Sequence, residues 1–251
     1  MKSLLMIPFI AAALLSACTL SEVDRKQASY HYQMGLSYLA ENNIPSALVE
    51  LTEAEKLTPD DPVMLNSLGL AYNKKHKYDI AEQKYLKAIS LKPDYTEAKN
   101  NLGLNYLAMK RWDDAARQFK SVTEDIFYPD QETATINLAR AYYYKGDLEK
   151  ALVILRSVVS NSPRNPIARL DLGRVYFAEG KTDLAIEQYK KSIELQKDYA
   201  NAYYHLGLAC MQRRDKFAAV SAFKEVIRIA PDSEIGQLSR EHLDILNASV
   251  H

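Results

Sequence analysis

The sequence has few of the residues from which catalytic and phosphate-binding sites are built. Only 8 glycines and 2 cysteines occur among its 251 residues. The glycines fall in a recurring helical pattern, in turns or near the C-terminus, so none is left for a phosphate-cradling loop. The five histidines show no metal-ligand spacing, and no nucleophile lies in a recognisable elbow or triad. We therefore predict no enzymatic activity, cofactor, metal or small-molecule substrate.

An excess of charge of one sign is also missing. The 32 lysines and arginines are balanced by 32 acidic residues, which gives a formal net charge of zero. This balance excludes a broad electrostatic attraction to nucleic acid. With 47% hydrophobic and 25% charged residues, the composition is typical of a globular protein.

The N-terminus carries the longest apolar run, Leu4 to Leu15, which is too short to remain as a membrane-spanning helix. It ends in Leu15-Ser16-Ala17-Cys18, which resembles the lipobox of bacterial lipoproteins. The resemblance implies that residues 1–17 are removed as a signal peptide and that Cys18 is lipidated, with each buried methylene adding about 0.8 kcal/mol of anchorage. An ordinary signal peptide followed by a chance cysteine is the alternative.

The residues after the cysteine bear on location and disulfide bonding. Thr19 stands where an Asp would favour retention in the inner membrane in the enterobacterial sorting rule, so the resemblance implies an outer-membrane lipoprotein facing the periplasm. A short linker is predicted to follow Cys18 up to residue 27. Once Cys18 is lipidated, Cys210 has no partner for an intramolecular disulfide.

The body of the sequence is repetitive. An apolar residue, a glycine, two residues and a tyrosine recur from Met34-Gly35 with Tyr38 onward, with variants such as Leu138-Ala139 and Leu206-Gly207 with Cys210. Registering on this pattern gives repeat starts at residues 28, 62, 96, 132, 166 and 200. All intervals are 34 residues except the third, which is 36. Such a period is typical of stacked helical pairs.

A second set of residues recurs further along each repeat. An alanine is followed four residues later by a bulky residue, as in Ala47 and Leu51 or Ala81 and Tyr85, and Pro59, Pro93, Pro163 and Pro231 close four of the repeats. Together these residues resemble the tetratricopeptide repeat. The resemblance implies an all-α, right-handed superhelical solenoid of six repeats, at 28–61, 62–95, 96–131, 132–165, 166–199 and 200–233, with a capping helix at 234–251.

The same pattern predicts the details of packing and turns. Small residues at the glycine and alanine positions let the two helices of a repeat approach closely, and bulky residues fill the space between repeats. Asp61-Pro62 and Asn165-Pro166 place an N-cap before a proline at the first helical position. Gly146 and Gly180 are each the fifteenth residue of a repeat, where the turn between helices favours a left-handed residue.

The resemblance also implies a protein-binding groove, because the second, fifth, ninth, twelfth and thirteenth residues of each such repeat face its concave side. The predicted groove residues are Tyr32, Leu36, Leu39, Asn66, Leu70, Asn73, Asn100, Leu104, Leu107, Arg140, Tyr143, Arg174, Phe177 and Tyr204. The set is mostly apolar and lacks the Lys and Asn arrangement that clamps a C-terminal carboxylate. An apolar or amphipathic partner segment is therefore predicted.

Each of these groove assignments has a structural alternative. The leucines equally suit the core, and Asn66 and Asn100 suit either the backbone of a bound peptide or solvent. Arg140 and Arg174, one repeat apart, are predicted to meet an acidic residue of the partner.

The third repeat carries two extra residues before the fourth begins. This connector contains Phe127, Tyr128 and Pro129, and it resembles the corresponding connector of the type IV pilus biogenesis lipoproteins, or pilotins, which also have a lipidated cysteine and six repeats. The resemblance implies that the protein binds the secretin subunits of the pilus and promotes their targeting to the outer membrane and their multimerisation. The alternative, which is the commoner role of aromatic residues in a repeat connector, is that Phe127 and Tyr128 plug a gap between repeats 3 and 4.

Two other roles fit a repeat lipoprotein of this kind. One is an adaptor that docks peptidoglycan hydrolases. The other is an accessory subunit of outer-membrane protein insertion or of polysaccharide export. The residues themselves exclude neither role.

Overall fold

A computed structural model describes residues 21–248, and within that range all regular structure is helical. In chain order the helices are α1 Glu22–Ala40, α2 Ile44–Leu57, α3 Pro62–Lys74, α4 Tyr78–Leu91, α5 Thr96–Ala108, α6 Trp112–Thr123, α7 Gln131–Lys145, α8 Leu148–Asn161, α9 Pro166–Ala178, α10 Thr182–Leu195, α11 Ala200–Gln212, α12 Lys216–Ile229 and α13 Glu234–Ala248. The predicted signal peptide and Cys18 lie outside the described residues. None of the described helices is long and apolar enough to cross a membrane.

The helices form two layers in a superhelical solenoid, as the repeat pattern predicts. The inner layer consists of the odd-numbered helices α1 to α11, each of which contacts the next. Each even-numbered helix contacts the odd-numbered helices on either side of it. Among residues 21–248 the backbones of successive outer helices stay apart, although Lys84 of α4 forms an ion pair with Glu55 of α2 at 2.6 Å. Since neighbours are closer in the inner layer than in the outer one, the stack curves with the inner helices on its concave side.

Within a repeat, the two helices interlock through one small and one large residue. A Cβ atom added at Gly69 would lie 2.5 Å from the ring of Tyr85, and one added at Gly103 would lie 2.8 Å from the ring of Phe119. Both aromatic side chains are buried almost completely. Repeat 4 replaces this pair by Ala139 and Leu155. The close approach that the glycines were predicted to permit is therefore present in the structure.

Side-chain caps fix the starts of two inner helices. Asp61 Oδ1 accepts hydrogen bonds from the backbone N–H groups of Val63 and Met64 at 2.8 and 3.2 Å, ahead of Pro62. Asn165 Oδ1 accepts one from the N–H of Ala168 at 2.9 Å, ahead of Pro166. The caps satisfy N–H groups that have no partner inside the helix, and each such cap stabilises its helix by about 1 kcal/mol.

The turn between the two helices of every repeat contains one residue with a left-handed backbone. Gly146 and Gly180 have φ values of 89° and 75°, which confirms the prediction for the fifteenth position. In the other four repeats this conformation is adopted by non-glycine residues, namely Asn42, His76, Lys110 and Arg214. A side chain in this region clashes with its own backbone, whereas glycine does not.

Replacing Lys110 by glycine is therefore expected to increase the free energy of unfolding by about 0.5–1 kcal/mol. Lys110 has a φ of 58°. Urea denaturation followed by circular dichroism measures the change. The matched control is Lys75→Gly, at an exposed lysine of another such turn whose φ is −82°. There glycine only adds freedom to the unfolded chain, so stability should fall, and a gain of equal size at Lys75 would contradict the explanation.

The first helix is longer than predicted. It begins at Glu22, so residues 22–27 are helical, whereas a linker is predicted there. Ser21 caps this helix by accepting a hydrogen bond from the N–H of Asp24 at 3.1 Å, and Lys26 pairs with Glu22 one turn away. These local contacts allow the helix to extend beyond the part that packs on the second repeat.

The last helix, α13, lies against α11 and α12. Its His242 stacks on Phe223 with ring centroids 4.9 Å apart, and Leu243 and Leu246 pack against the core. Gly236 is required for the close approach to the preceding turn, because a Cβ there would lie 2.3 Å from the carbonyl oxygen of Ala230. The helix thus covers the end of the solenoid in the way a capping helix does.

Candidate functional site

All of the predicted groove residues lie on inner-layer helices, but they differ in how far they are open to a partner. In repeats 1 to 3, Leu39 is buried in the core, and Leu36 and Leu70 are half-buried against the same cluster. Leu104 is 40% exposed, and Leu107 is half-buried against the next cluster. Leu104 is therefore the most accessible of the predicted groove leucines.

Most of the predicted groove residues with a hydroxyl or amide group in repeats 1 to 3 form side-chain hydrogen bonds within the chain. Tyr32 Oη lies 3.3 Å from Ser67 Oγ. Asn73 Nδ2 donates to Asn105 Oδ1 at 2.9 Å. Asn100 is half-buried and makes no side-chain hydrogen bond within residues 21–248.

Asn66 differs from the prediction that it bonds a peptide backbone or faces solvent. It is buried, its Oδ1 accepts a hydrogen bond from Asn101 at 3.0 Å, and its Nδ2 donates to Glu97 at 3.3 Å. Nδ2 also lies 3.4 Å from Tyr95 Oη. Asn66 is thus part of the interface between repeats 2 and 3, because the fifth residue of that helix packs against the next repeat.

The structure brings Arg140, Arg174 and Tyr143 together around an acidic residue of the same chain. Asp171 is 3% exposed, and its Oδ2 accepts a hydrogen bond from Arg140 Nε at 2.6 Å. Its Oδ1 accepts one from Arg174 Nη1 at 3.1 Å. The carboxylate that the two arginines were predicted to find on a partner is therefore supplied in part by Asp171, one repeat after Arg140.

Aromatic rings surround Arg174. Its guanidinium carbon lies 4.7 and 5.4 Å from the ring centroids of Tyr143 and Tyr144, and Nη2 donates to Tyr144 Oη at 3.1 Å. Trp112 in turn stacks on Tyr144 at 5.1 Å. Burial opposes the charge of Arg174, but Asp171 and Tyr144 raise its pKa overall. Cation–π contacts of this kind favour a charged guanidinium in a partly dry site.

Two buried polar atoms beside this cluster lack hydrogen-bond partners within the described chain, Arg174 Nε and Tyr189 Oη. Burial raises the pKa of Tyr189, so its hydroxyl stays protonated and remains a potential donor. A crevice next to Arg174 that is too small to hold a water molecule is lined by Ala139, Arg140, Tyr143, Leu155, Asp171, Arg174 and Val175. This part of the inner layer combines positive charge with apolar walls.

Phe177 and Tyr204, the last of the predicted groove residues, are half-buried against the core of repeats 4 to 6. Tyr204 lies edge-on to His205, whose imidazole stacks on Tyr189 at 5.7 Å. Burial, together with the positive charge of Arg174, lowers the pKa of His205 to about 4. The imidazole is therefore neutral near pH 7.

The pKa of His205 predicts a pH dependence of stability. Because the pKa of His205 in the folded state lies below the ordinary histidine pKa of 6.5, His205 contributes stability that is fully present above pH 6.5 and is lost as the pH falls toward 4. The expected loss at pH 4.5 is about 2–3 kcal/mol. Urea denaturation of the wild type and of His205→Gln at several pH values measures it. The variant should show a flatter slope between pH 6.5 and 4.5, and parallel profiles would contradict the assignment.

The connector between α6 and α7, residues 124–130, is held by its own hydrogen bonds. Asp125 accepts hydrogen bonds from Thr96 Oγ1 at 2.5 Å and from the N–H of Phe127 at 3.0 Å. Gln131 Nε2 donates to the carbonyl oxygen of Thr123 at 2.9 Å. Phe127 is nevertheless 87% exposed and Ile126 77%. Phe127 therefore does not plug a gap between repeats, and Tyr128 is only half-buried.

The geometry defines a class of protein: a curved stack of helical pairs whose concave layer offers a mixed apolar and charged surface. No cluster of three metal-ligating side chains occurs among residues 21–248. Sequence comparison agrees with this class. The protein-family model described as "Tetratricopeptide repeat protein 21 ARM repeat" matches residues 24–192. Two further family models, for tetratricopeptide repeats, match residues 173–212 and 200–233. The chain belongs to the tetratricopeptide-repeat family, whose members are typically non-catalytic scaffolds for protein–protein interaction.

Two curated relatives share short stretches with the chain. One is the chloroplastic tetratricopeptide repeat domain-containing protein PYG7 of Arabidopsis thaliana, 32% identical over 72 residues, which are 29% of this chain and 24% of that protein. The other is the TPR repeat-containing protein MJ0940 of Methanocaldococcus jannaschii, 32% identical over 83 residues, 33% of this chain and 26% of that protein. The chain spans about a quarter of the length of these relatives.

Solved structures resemble the chain over most of its length. PilW, described as a widely conserved type IV pilus biogenesis factor, has a TM-score of 0.75 at 20% identity, over 87% of this chain and 98% of PilW. PilF of Pseudomonas aeruginosa has a TM-score of 0.69 at 18% identity, over 88% of this chain and 100% of PilF. A tetratricopeptide repeat protein of Parabacteroides merdae has 0.72 at 19%, over 85% and 84%. At these identities the likeness shows the shared fold.

Proposed function

We propose that the protein is a pilotin-like scaffold, anchored in the outer membrane through a lipid on Cys18, which binds secretin subunits and promotes their delivery and multimerisation. The observation that carries the proposal is the extent of the likeness to PilF and PilW. Essentially the whole of each of those chains matches 87–88% of this one, so the solenoids have similar extents. PilW is a type IV pilus biogenesis factor, and the lipobox-like Leu15-Ser16-Ala17-Cys18 supports membrane attachment.

The experiment is to delete the gene and follow the secretin by immunoblotting of unboiled membranes. Monomers should replace multimers, and a plasmid copy should restore the multimers. The variant Cys18→Ala should restore the multimers poorly, because the protein then lacks the acyl chains that hold it at the membrane. Normal multimers accompanied by altered cell-wall turnover would contradict the proposal and favour the peptidoglycan-hydrolase adaptor.

The groove is the first surface that we assign to the partner. Leu104→Glu places a charge at the most open of the predicted groove leucines, and it should weaken partner binding at least tenfold, since apolar anchors dominate such contacts. It is a cleaner change than Leu70→Glu, because Leu70 packs against core residues. The matched control is Val153→Glu, at a 64% exposed valine of the outer helix α8. Equal effects of the two variants, or none at Leu104, would count against the groove.

The connector is the second surface that we assign to the partner. A large apolar side chain on a loop that is already ordered loses little entropy on binding. Phe127→Ser should therefore reduce secretin multimers while the melting temperature stays within about 1 °C, because an exposed side chain contributes little to folding. Phe217 is also 87% exposed but lies on the outer helix α12, so Phe217→Ser is the control. Loss of multimers in both variants would point to a general effect of exposed aromatics.

A further inference from the structure

We infer that Arg140 recognises the carboxylate of an Asp or Glu side chain within the partner segment. The inference rests on the proposed groove binding and specifies its chemistry. It starts from a charge imbalance in the inner layer. Two guanidinium groups, of Arg140 and Arg174, share one carboxylate, that of Asp171, and both oxygens of this carboxylate are already used. One positive charge therefore remains uncompensated within the cluster.

The hydrogen bonds identify the arginine at which this charge is available. Arg174 donates hydrogen bonds from Nη1 to Asp171 and from Nη2 to Tyr144, and its guanidinium packs over two aromatic rings. Its side chain is 17% exposed. Arg140 gives Nε to Asp171 and Nη1 to Asn137 Oδ1 at 3.1 Å, and its side chain is 30% exposed. Its Nη2 has no hydrogen-bond partner within residues 21–248. Arg140 is therefore the open end of the cluster.

The surroundings of Arg140 make a carboxylate on the partner the expected counterpart. The equivalent ninth position one repeat earlier is Leu104, and the twelfth positions on either side are Leu107 and Phe177. Ala139, Leu155 and Val175 lie beside Arg140 itself. Apolar side chains at these places lower the local dielectric constant, so that a charge-assisted hydrogen bond there is stronger than in water. They also supply no acidic side chain that would compete for Arg140 Nη2.

The same surroundings favour an internal acidic side chain over a chain terminus. Inner-layer positions continue in both directions from Arg140, toward Leu104 in repeat 3 and toward Phe177 in repeat 5. A segment lying along the inner layer can thus place apolar residues on both sides of its acidic one. Asp171 and Arg174 act as positioning residues, because Asp171 fixes the guanidinium of Arg140 and is itself held by Arg174.

The test uses the purified full chain without its signal peptide and a phage library of random 12-residue peptides. Peptides selected by the wild type should be enriched in Asp or Glu flanked by apolar residues. Selection on Arg140→Gln should lose this enrichment. Selection on Arg228→Gln should keep it, since Arg228 lies on the outer helix α12 and is 58% exposed.

Affinities of single peptides then isolate the pair. A selected peptide with an amidated C-terminus, and its Glu→Gln version, are titrated against both proteins by fluorescence anisotropy. We expect the peptide change to weaken binding about tenfold on the wild type and less than twofold on Arg140→Gln. Peptides that bind without an acidic preference, or that keep it on Arg140→Gln, would overturn this inference and leave groove binding intact. Failure to select any peptide would count against both.

Discussion

Replacing Asp171 by alanine is expected to lower the free energy of unfolding by about 3–5 kcal/mol. Asp171 is almost fully buried and joins Arg140 to Arg174 across the interface between repeats 4 and 5. Its removal leaves Arg174, which is mostly buried and already has an unpaired Nε, beside no carboxylate. A buried charge that loses its only counter-ion costs far more than an exposed one. Thermal and urea denaturation measure the loss.

An exposed pair of the same kind provides the matched control. Asp198 and Arg228 also connect consecutive repeats, with Oδ1 and Nη2 2.9 Å apart, but their side chains are 73% and 58% exposed. Asp198→Ala should cost no more than about 1 kcal/mol, because water and salt screen such a pair. In the double variant Asp171→Ala, Arg174→Met, much of the stability should return, since the uncompensated charge is gone. Equal losses at Asp171 and Asp198 would contradict the role of burial.

Gly103→Val is expected to destabilise the chain by about 3 kcal/mol. The new Cβ would lie 2.8 Å from the ring of Phe119, which is completely buried between the helices of repeat 3. Ala108→Val on the same helix α5, at an exposed position, is the control and should cost only the difference in helix propensity, about 0.5 kcal/mol.

A double-mutant cycle tests whether the ring is the cause. Phe119→Ala alone should cost about 3–5 kcal/mol, because it leaves a cavity. In Gly103→Val, Phe119→Ala the valine occupies part of that cavity, so the combined loss should be smaller than the sum of the two single losses by at least 1 kcal/mol. Additive losses would show that valine is excluded by something other than the ring of Phe119.

The sequence predicts the fold well because the repeat unit is specified locally. The glycine of the inner helix and the aromatic residue of the outer helix, such as Gly69 and Tyr85, are always sixteen residues apart, so one short period contains the whole packing rule. The caps at Asp61 and Asn165 follow from the residues next to them. The extension of α1 to Glu22 was missed, because polar residues at a chain end have the same composition in a linker and in an exposed helix.

The site was less predictable, because it depends on contacts between repeats. The repeat positions that face the groove include Arg140 and Arg174. They do not include Asp171, which is the sixth residue of its repeat. A signal was present: an acid three residues before a groove arginine lies on the same helical face. The burial of Asn66 depends on Asn101 and Glu97 of the next repeat. The exposure of Phe127 follows from how Asp125 folds the connector, which composition alone does not specify.

The separation of the outer helices from one another has a mechanical consequence. The backbone of every outer helix packs only on the odd-numbered helices beside it, so a small rotation between successive repeats disturbs few contacts between outer helices, such as the ion pair of Lys84 with Glu55. Such rotations add along the stack, because each repeat contacts only its neighbours. The concave side of the solenoid should therefore widen or narrow at low free-energy cost. The ion pair of Arg140 with Asp171 opposes such rotation at the junction of repeats 4 and 5.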